Sequence, residues 1–295
     1  MDKLVEHYGV LLNESTIRRT TERHAARIGA QAAGAVTGLP ASGGSPVLIV
    51  EMDGGMVPIV EPDRAQADRR KGKKLYWKEA KICLAHPQGS QTLTYGGTLQ
   101  GDVVAAGQQL LACAQQAGLG RDSQVHGVGD GAPWIAEQVE QQFGAQGRYL
   151  IDFYHVCDYL SAAATALVVD PAGQAVWMDA QKTRLKTGRC AELLQELRPH
   201  LEAAAVEESV APVRQCHRYL SHRRDQLDYQ RALARALPIG SGEIESAHRY
   251  IVQQRLKRPG AWWCAANAED MLALRLNRAN RKWDAYWAGD LKQAA

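Results

Sequence analysis

The chain reads as an α/β protein with a mixed sheet flanked by helices. Three observations predict this. Short apolar or alternating runs interleave with helical periodicity between residues 47 and 156. A stretch of helix signals alone follows from 157 to 235. Further helical segments close the chain, and Gly/Pro breaks separate the blocks.

Residues 2–9 and 14–32 predict two helices, with Asn13 or Ser15 able to cap the second. Arg18, Arg19, Arg23 and Arg27 line that second helix. The pair suits either a helix-turn-helix or a plain helical hairpin. Residues 36–46, rich in Gly, Ser and Pro, read as a linker. Strands are expected at 47–60, 76–87 and 91–99, with a basic loop, 61–75, joining the first two. A helix over 101–117, a strand over 124–129, a helix over 134–143 and a strand over 148–156 complete the layer. The helical block 157–235 breaks near Asp170-Pro171, Gly188 and Pro212. Helices over 243–257 and 267–280, with a shorter one at 283–289, end the chain. The expected domains are a helix-turn-helix-like segment, 1–35, a core in two parts, 45–156 and 236–290, and a helical insertion, 157–235.

The net charge is only +3, but positive charge is clustered. Arg69, Arg70, Lys71, Lys73, Lys74, Lys78 and Lys81 form one group, and Arg249, Arg255, Lys257 and Arg258 another. Such clusters suit a polyanion, and otherwise a solvated surface. The six cysteines form no Cys-x-x-Cys pair, which argues against structural zinc and for reduced core thiols, as suits a cytoplasmic protein. No signal peptide opens the chain, and no apolar run of about 18 residues suggests a membrane span.

Three acidic residues occupy unusual local sequences. Asp53 ends the apolar run Val-Leu-Ile-Val-Glu-Met-Asp-Gly-Gly, where Gly54 and Gly55 leave backbone open to close approach. Asp130 sits in Gly-Val-Gly-Asp-Gly-Ala-Pro-Trp-Ile, at the carboxyl end of an expected strand, where α/β sites form. The bland alternative is a cap for the helix beginning near Pro133. Glu245 follows the Gly240-Ser241-Gly242 break in the first turn of a helix, with Arg249 four residues on. Glu243 lies about 200° around that helix, so both cannot face one site. Two strand-end carboxylates and a helix-start carboxylate suit a pair of divalent cations and phosphodiester chemistry. Asp152 and His155 would face opposite ways on a regular strand. Trp262 and Trp263, after Arg255-Leu-Lys-Arg-Pro-Gly, suit either base stacking or a core anchor.

The segments Glu-Met-Asp-Gly, Trp-Lys-Glu-Ala-Lys, Gly-Asp-Gly-Ala-Pro-Trp-Ile, Asp-Phe-Tyr-His-Val and Gly-Ser-Gly-Glu-Ile-Glu-Ser-Ala-His-Arg occur in this order. In this the chain resembles bacterial insertion-sequence transposases of the Kra type, distantly similar to Mutator-like elements, from about residue 5 to 288. The resemblance implies an RNase H-like core with an Asp-Asp-Glu site at Asp53, Asp130 and Glu245, holding two Mg²⁺ or Mn²⁺ ions. It implies an Asp-x-x-His signature at Asp152 and His155, with His155 assisting at the scissile phosphate. It implies double-stranded DNA, both transposon ends and target, as partner, met by Lys71, Lys73, Lys74, Arg249, Arg255, Lys257 and Arg258. A homo-oligomer on DNA and an all-helical insertion follow as well. Family members are expected to be longer at the N terminus, so the helix-turn-helix reads as a remnant with modest end recognition. The alternative is a non-catalytic DNA-binding or partner-binding derivative. A metal-free glycoside hydrolase using paired carboxylates is a weaker rival, disfavoured by the basic clusters.

Overall fold

The computed structural model describes residues 2–32, 43–63, 65 and 72–294. Most of the expected linker, and Lys71, Arg69 and Arg70 of the basic loop, lie outside the described residues. The elements run α1 (Asp2–Tyr8), α2 (Glu14–Ala32), β1 (Val47–Glu61), β2 (Lys74–Pro87), β3 (Thr94–Thr98) and α3 (Val103–Gln116). Next come β4 (Gln124–Gly129), α4 (Pro133–Phe143) and β5 (Gly147–Ile151). Helices α5 (Phe153–Leu167), α6 (Pro171–Lys186), α7 (Cys190–Leu197), α8 (Pro212–Ser221) and α9 (Tyr229–Ala234) follow. Last are α10 (Gly242–Ala247), a π-helical turn over His248–Gln253, α11 (Gln254–Leu256), α12 (Ala265–Ala279) and α13 (Trp283–Ala294).

The strands form one five-stranded sheet in the order β3-β2-β1-β4-β5. Strands β1, β4 and β5 are parallel and β2 and β3 antiparallel, so the sheet is mixed. This is the expected α/β class. The chain divides into two compact units, 1–45 with 52–122 and 243–295, and 46–51 with 123–242. Strand β1 contributes to both.

The first unit buries Val57 and Ile59 of β1 and Ala80, Ile82 and Leu84 of β2 against Ile251, Leu256, Ala268 and Leu272. On β2 alternate residues face this core because side chains on a strand alternate. Helix α2 joins the core through Ala25 and Ile28, and His24 Nδ1 lies 2.7 Å from the Tyr286 hydroxyl. Asn13 is its cap, its Oδ1 accepting from the Ser15 N–H at 2.8 Å. Arg18, Arg19 and Arg23 stay exposed.

The second unit buries Ile49, Leu150 and Ile151 against Phe153, Val156, Leu160, Leu197, Leu220 and Tyr229. From α5 to α9 its described chain is helical. One expectation fails here. The strand predicted over 148–156 ends at Ile151, and His155 lies in α5. Asp152 is the reason: its carboxylate caps α5, accepting from the Tyr154 and His155 N–H groups at 2.6 and 3.2 Å. The buried positions Phe153, Val156, Leu160 and Ala163 then repeat at helical spacing.

All six cysteines are free, and Cys83, Cys113 and Cys216 are buried. Among the described residues no helix is long and apolar enough to cross a membrane.

Candidate functional site

In the first unit, Asp53 lies inside β1, and its Oδ1 accepts the Gly54 N–H at 2.7 Å. The open backbone expected at Gly54 and Gly55 is filled by the protein itself. A Cβ on Gly54 would run into the Glu79 carboxyl, and one on Gly55 would lie 2.7 Å from His248 Nδ1. These glycines therefore admit side chains from β2 and from the π-helical turn rather than leaving a gap. Glu79 is in turn paired with Lys81 at 2.9 Å.

His248 is 4% exposed, and its Nε2 lies 3.3 Å from Asp53 Oδ2. Burial pulls its pKa below the usual histidine value, against the attraction of Asp53. The imidazole is therefore neutral at neutral pH. The π-helical turn that begins at His248 leaves carbonyls out of register. Arg275 takes them up, donating to the Tyr250 and Ile251 carbonyls while stacking 4.8 Å over the Tyr250 ring. Turns of this kind recur at functional sites.

Glu245 is exposed on α10, three residues before His248 and thus on the same side of the helix. Among the described residues it makes no ion pair with Arg249. Glu243 is engaged elsewhere: its Oε2 lies 2.7 Å from Nε2 of the buried His86 on β2. Burial works against a charged His86, but the hydrogen bond and charge of Glu243 win, and its pKa is raised. The two glutamates thus diverge, as the helical spacing predicts.

In the second unit, Asp130 immediately follows β4. Its Oδ1 accepts the Ala132 N–H at 2.8 Å, and its carbonyl accepts the Tyr219 hydroxyl at 3.1 Å. The alternative capping role does not appear: the cap of α4 is Ala132, with no side-chain bond. Gly131 has φ 87°, and its N–H donates to the Tyr149 hydroxyl at 3.0 Å. Burial raises both tyrosine pKa values, so the hydroxyls remain protonated. His155 is half-buried beside Tyr159 and Tyr219, which stack at 4.0 Å. Arg223 covers Tyr219 at 4.3 Å. Tyr149 and Tyr219 had no signal in the sequence; they hold the Asp130 turn from β5 and α8.

Asp152 is 3% exposed. Its second oxygen accepts from the Ser241 N–H and hydroxyl, each at 2.6 Å. It therefore ties the start of α5 to the Gly-Ser-Gly segment leading into Glu245, and acts as a positioning residue.

The strand register relates two of the acids. Strands β1 and β4 align Glu51 with Val128, and Asp53 and Asp130 each come two residues later. Among the described residues, no three His, Cys, Asp or Glu side chains stand close enough to share a metal ion. The acids are all hard oxygen donors, the chemistry that magnesium prefers.

Of the basic residues, Lys73, Lys74, Arg249, Arg255, Lys257 and Arg258 are exposed. Arg255 lies 4.8 Å over the Trp263 ring, and burial lowers its pKa. Trp263 is an anchor: its N–H donates to the Pro58 carbonyl at 3.1 Å and its carbonyl accepts the Val60 N–H at 2.8 Å. Trp262 is exposed. A cavity of about 360 Å³ in the second unit, lined by His126, Arg148, Tyr149 and Arg231, contains none of the predicted site residues. Comparison with known protein families, with curated proteins and with solved structures found no match to this chain.

Proposed function

We propose that the chain is a DNA transposase of the Asp-Asp-Glu type with an RNase H-like core, cleaving and joining phosphodiesters through Asp53, Asp130 and Glu245. The observation that carries the reading is the strand register: two carboxylates come at equal counts past an aligned pair on neighbouring parallel strands, Asp53 within β1 and Asp130 just past the end of β4. Glu245 joins them on its own ground, being one turn from the histidine that touches Asp53.

Two Mg²⁺ or Mn²⁺ ions held by these carboxylates would supply Lewis acidity toward the attacking and leaving oxygens. The chain's own groups do the rest. Neutral His248 packs against the Asp53 carboxylate without adding a competing cation. Tyr149 and Tyr219, held protonated by burial, fix the turn carrying Asp130. Asp152 and Ser241 fix the approach to the helix bearing Glu245. Lys73, Lys74, Arg249, Lys257 and Arg258 contact DNA phosphates, and Arg255 supports them through Trp263. His155 hydrogen-bonds the scissile phosphate. The first reaction adds water across a strand phosphodiester and frees a 3′-hydroxyl, which then displaces a target-strand oxygen.

A second reading is a DNA-binding derivative without turnover. The observation on its side is that the three carboxylates are not gathered into one ligand set. Incubation with supercoiled plasmid carrying the DNA that flanks the gene separates the two. Nicking with Mg²⁺ or Mn²⁺, reduced in Ca²⁺, supports the transposase. Binding with no cleavage in any of these ions supports the derivative, and absence of binding sinks both.

A further inference from the structure

Trp77 and Trp262 are large indoles left 54% and 41% exposed, and they lie against each other with ring centroids 6.1 Å apart at 56°. Exposed tryptophan is uncommon because the ring gains most when buried, and two in contact on a surface form an apolar patch. Neither ring is loosely mounted. Trp77 lies within β2, and Trp262 precedes Trp263, whose backbone is bonded on both sides to β1.

Charge surrounds this patch. The exposed Lys73 and Lys74 lead into the strand that carries Trp77. The exposed Lys257 and Arg258 lead into the loop that carries Trp262. Trp77 and Glu79 are two residues apart on β2, so they share a face about 7 Å apart. Glu79 in turn packs against Gly54, the neighbour of Asp53. The indole pair therefore lies on the sheet face that Glu79 shares with Gly54, opposite the face on which Asp53 and Gly55 meet His248.

We propose that Trp77 and Trp262 form a stacking platform for an unpaired base of a DNA strand whose phosphates are held by the flanking lysines and arginine. The inference rests on the nucleic-acid reading above and adds to it a single-stranded substrate segment. Aromatic faces bind unpaired bases of any sequence, and adjacent cations hold the backbone. In a duplex the base faces are already stacked, so the platform discriminates single strand from duplex.

The test compares wild type, Trp77→Ala, Trp262→Ala and Trp77→Phe. Fluorescence anisotropy reads binding to a labelled oligothymidylate and to a blunt duplex, and a 2-aminopurine-containing single strand reports stacking by quenching. Stacking is worth about 1–3 kcal/mol per base, so each alanine variant should lose roughly 5- to 150-fold in single-strand affinity. Duplex affinity should change less than about twofold on the same scale. Quenching should disappear in both alanine variants and persist in Trp77→Phe. Unchanged single-strand affinity in the alanine variants, with wild-type duplex binding intact, overturns the platform but leaves the transposase reading standing. Equal losses on single strand and duplex also overturn it. No binding of either DNA by wild type overturns both.

Discussion

Gly55→Ala tests the packing around Asp53. The new Cβ would lie 2.7 Å from Nδ1 and 2.8 Å from Cε1 of His248, well inside van der Waals contact. The ring has little room to retreat, since it is 4% exposed and begins the π-helical turn held by Arg275. Gly55 has no left-handed φ, so the substitution adds no backbone strain and the clash is isolated. Overpacking of this kind costs about 1–3 kcal/mol. Urea denaturation should show that loss in the wild-type background. In a His248→Ala background, where the obstructing ring is gone, the same substitution should cost less than about 0.5 kcal/mol, leaving a coupling of at least roughly 0.5 kcal/mol. Equal costs in the two backgrounds would refute the contact. Cleavage should fall with stability in Gly55→Ala, because displaced His248 releases Asp53.

Other outcomes are expected. The raised pKa of His86 means that its pairing with Glu243 stabilises fully below the unfolded value of 6.5 and is lost as pH rises through the higher folded value. The stability gap between wild type and Glu243→Gln should therefore narrow from pH 6 to pH 9, and a gap that widens contradicts the pairing. Asp152→Ala removes a buried acceptor of four donors and should cost on the order of 2–4 kcal/mol in thermal or urea unfolding; a cost under about 0.5 kcal/mol would show that these bonds contribute little. Ala236, at φ 51°, sits in the left-handed region that favours glycine, so Ala236→Gly should stabilise by about 0.5–1 kcal/mol, and a loss would mean the methyl group packs usefully. Replacing Lys73 and Lys74 by Ala should reduce the log–log salt slope of duplex binding by about 0.9 per lost phosphate contact. An unchanged slope would make them merely solvated.

Much of the fold was legible because local patterns agreed with tertiary need. Strand β4 begins and ends where its apolar run does, and β1 is extended only to Glu61. The segment around His155 misled because Leu150-Ile-Asp-Phe-Tyr-His-Val has strand-like composition, while a single capping carboxylate decides its conformation. The π-helical turn had no local signal, since it depends on Arg275 some twenty-five residues away. The same holds for the contents of the Gly54-Gly55 gap, which come from β2 and from the turn after α10. Trp262 and Trp263 looked equivalent in sequence. Only the pairing of Trp263 with β1 separates an anchor from an exposed ring.

Four variants assayed side by side on end-bearing DNA with Mg²⁺ probe the proposed assignment of the acids. Asp53→Asn, Asp130→Asn and Glu245→Gln should each abolish strand cleavage and joining while leaving DNA affinity nearly unchanged. Glu243→Gln, which loses only the His86 pair, should keep most activity. A dead Glu243→Gln beside an active Glu245→Gln would contradict the assignment, as would cleavage that survives the loss of either aspartate.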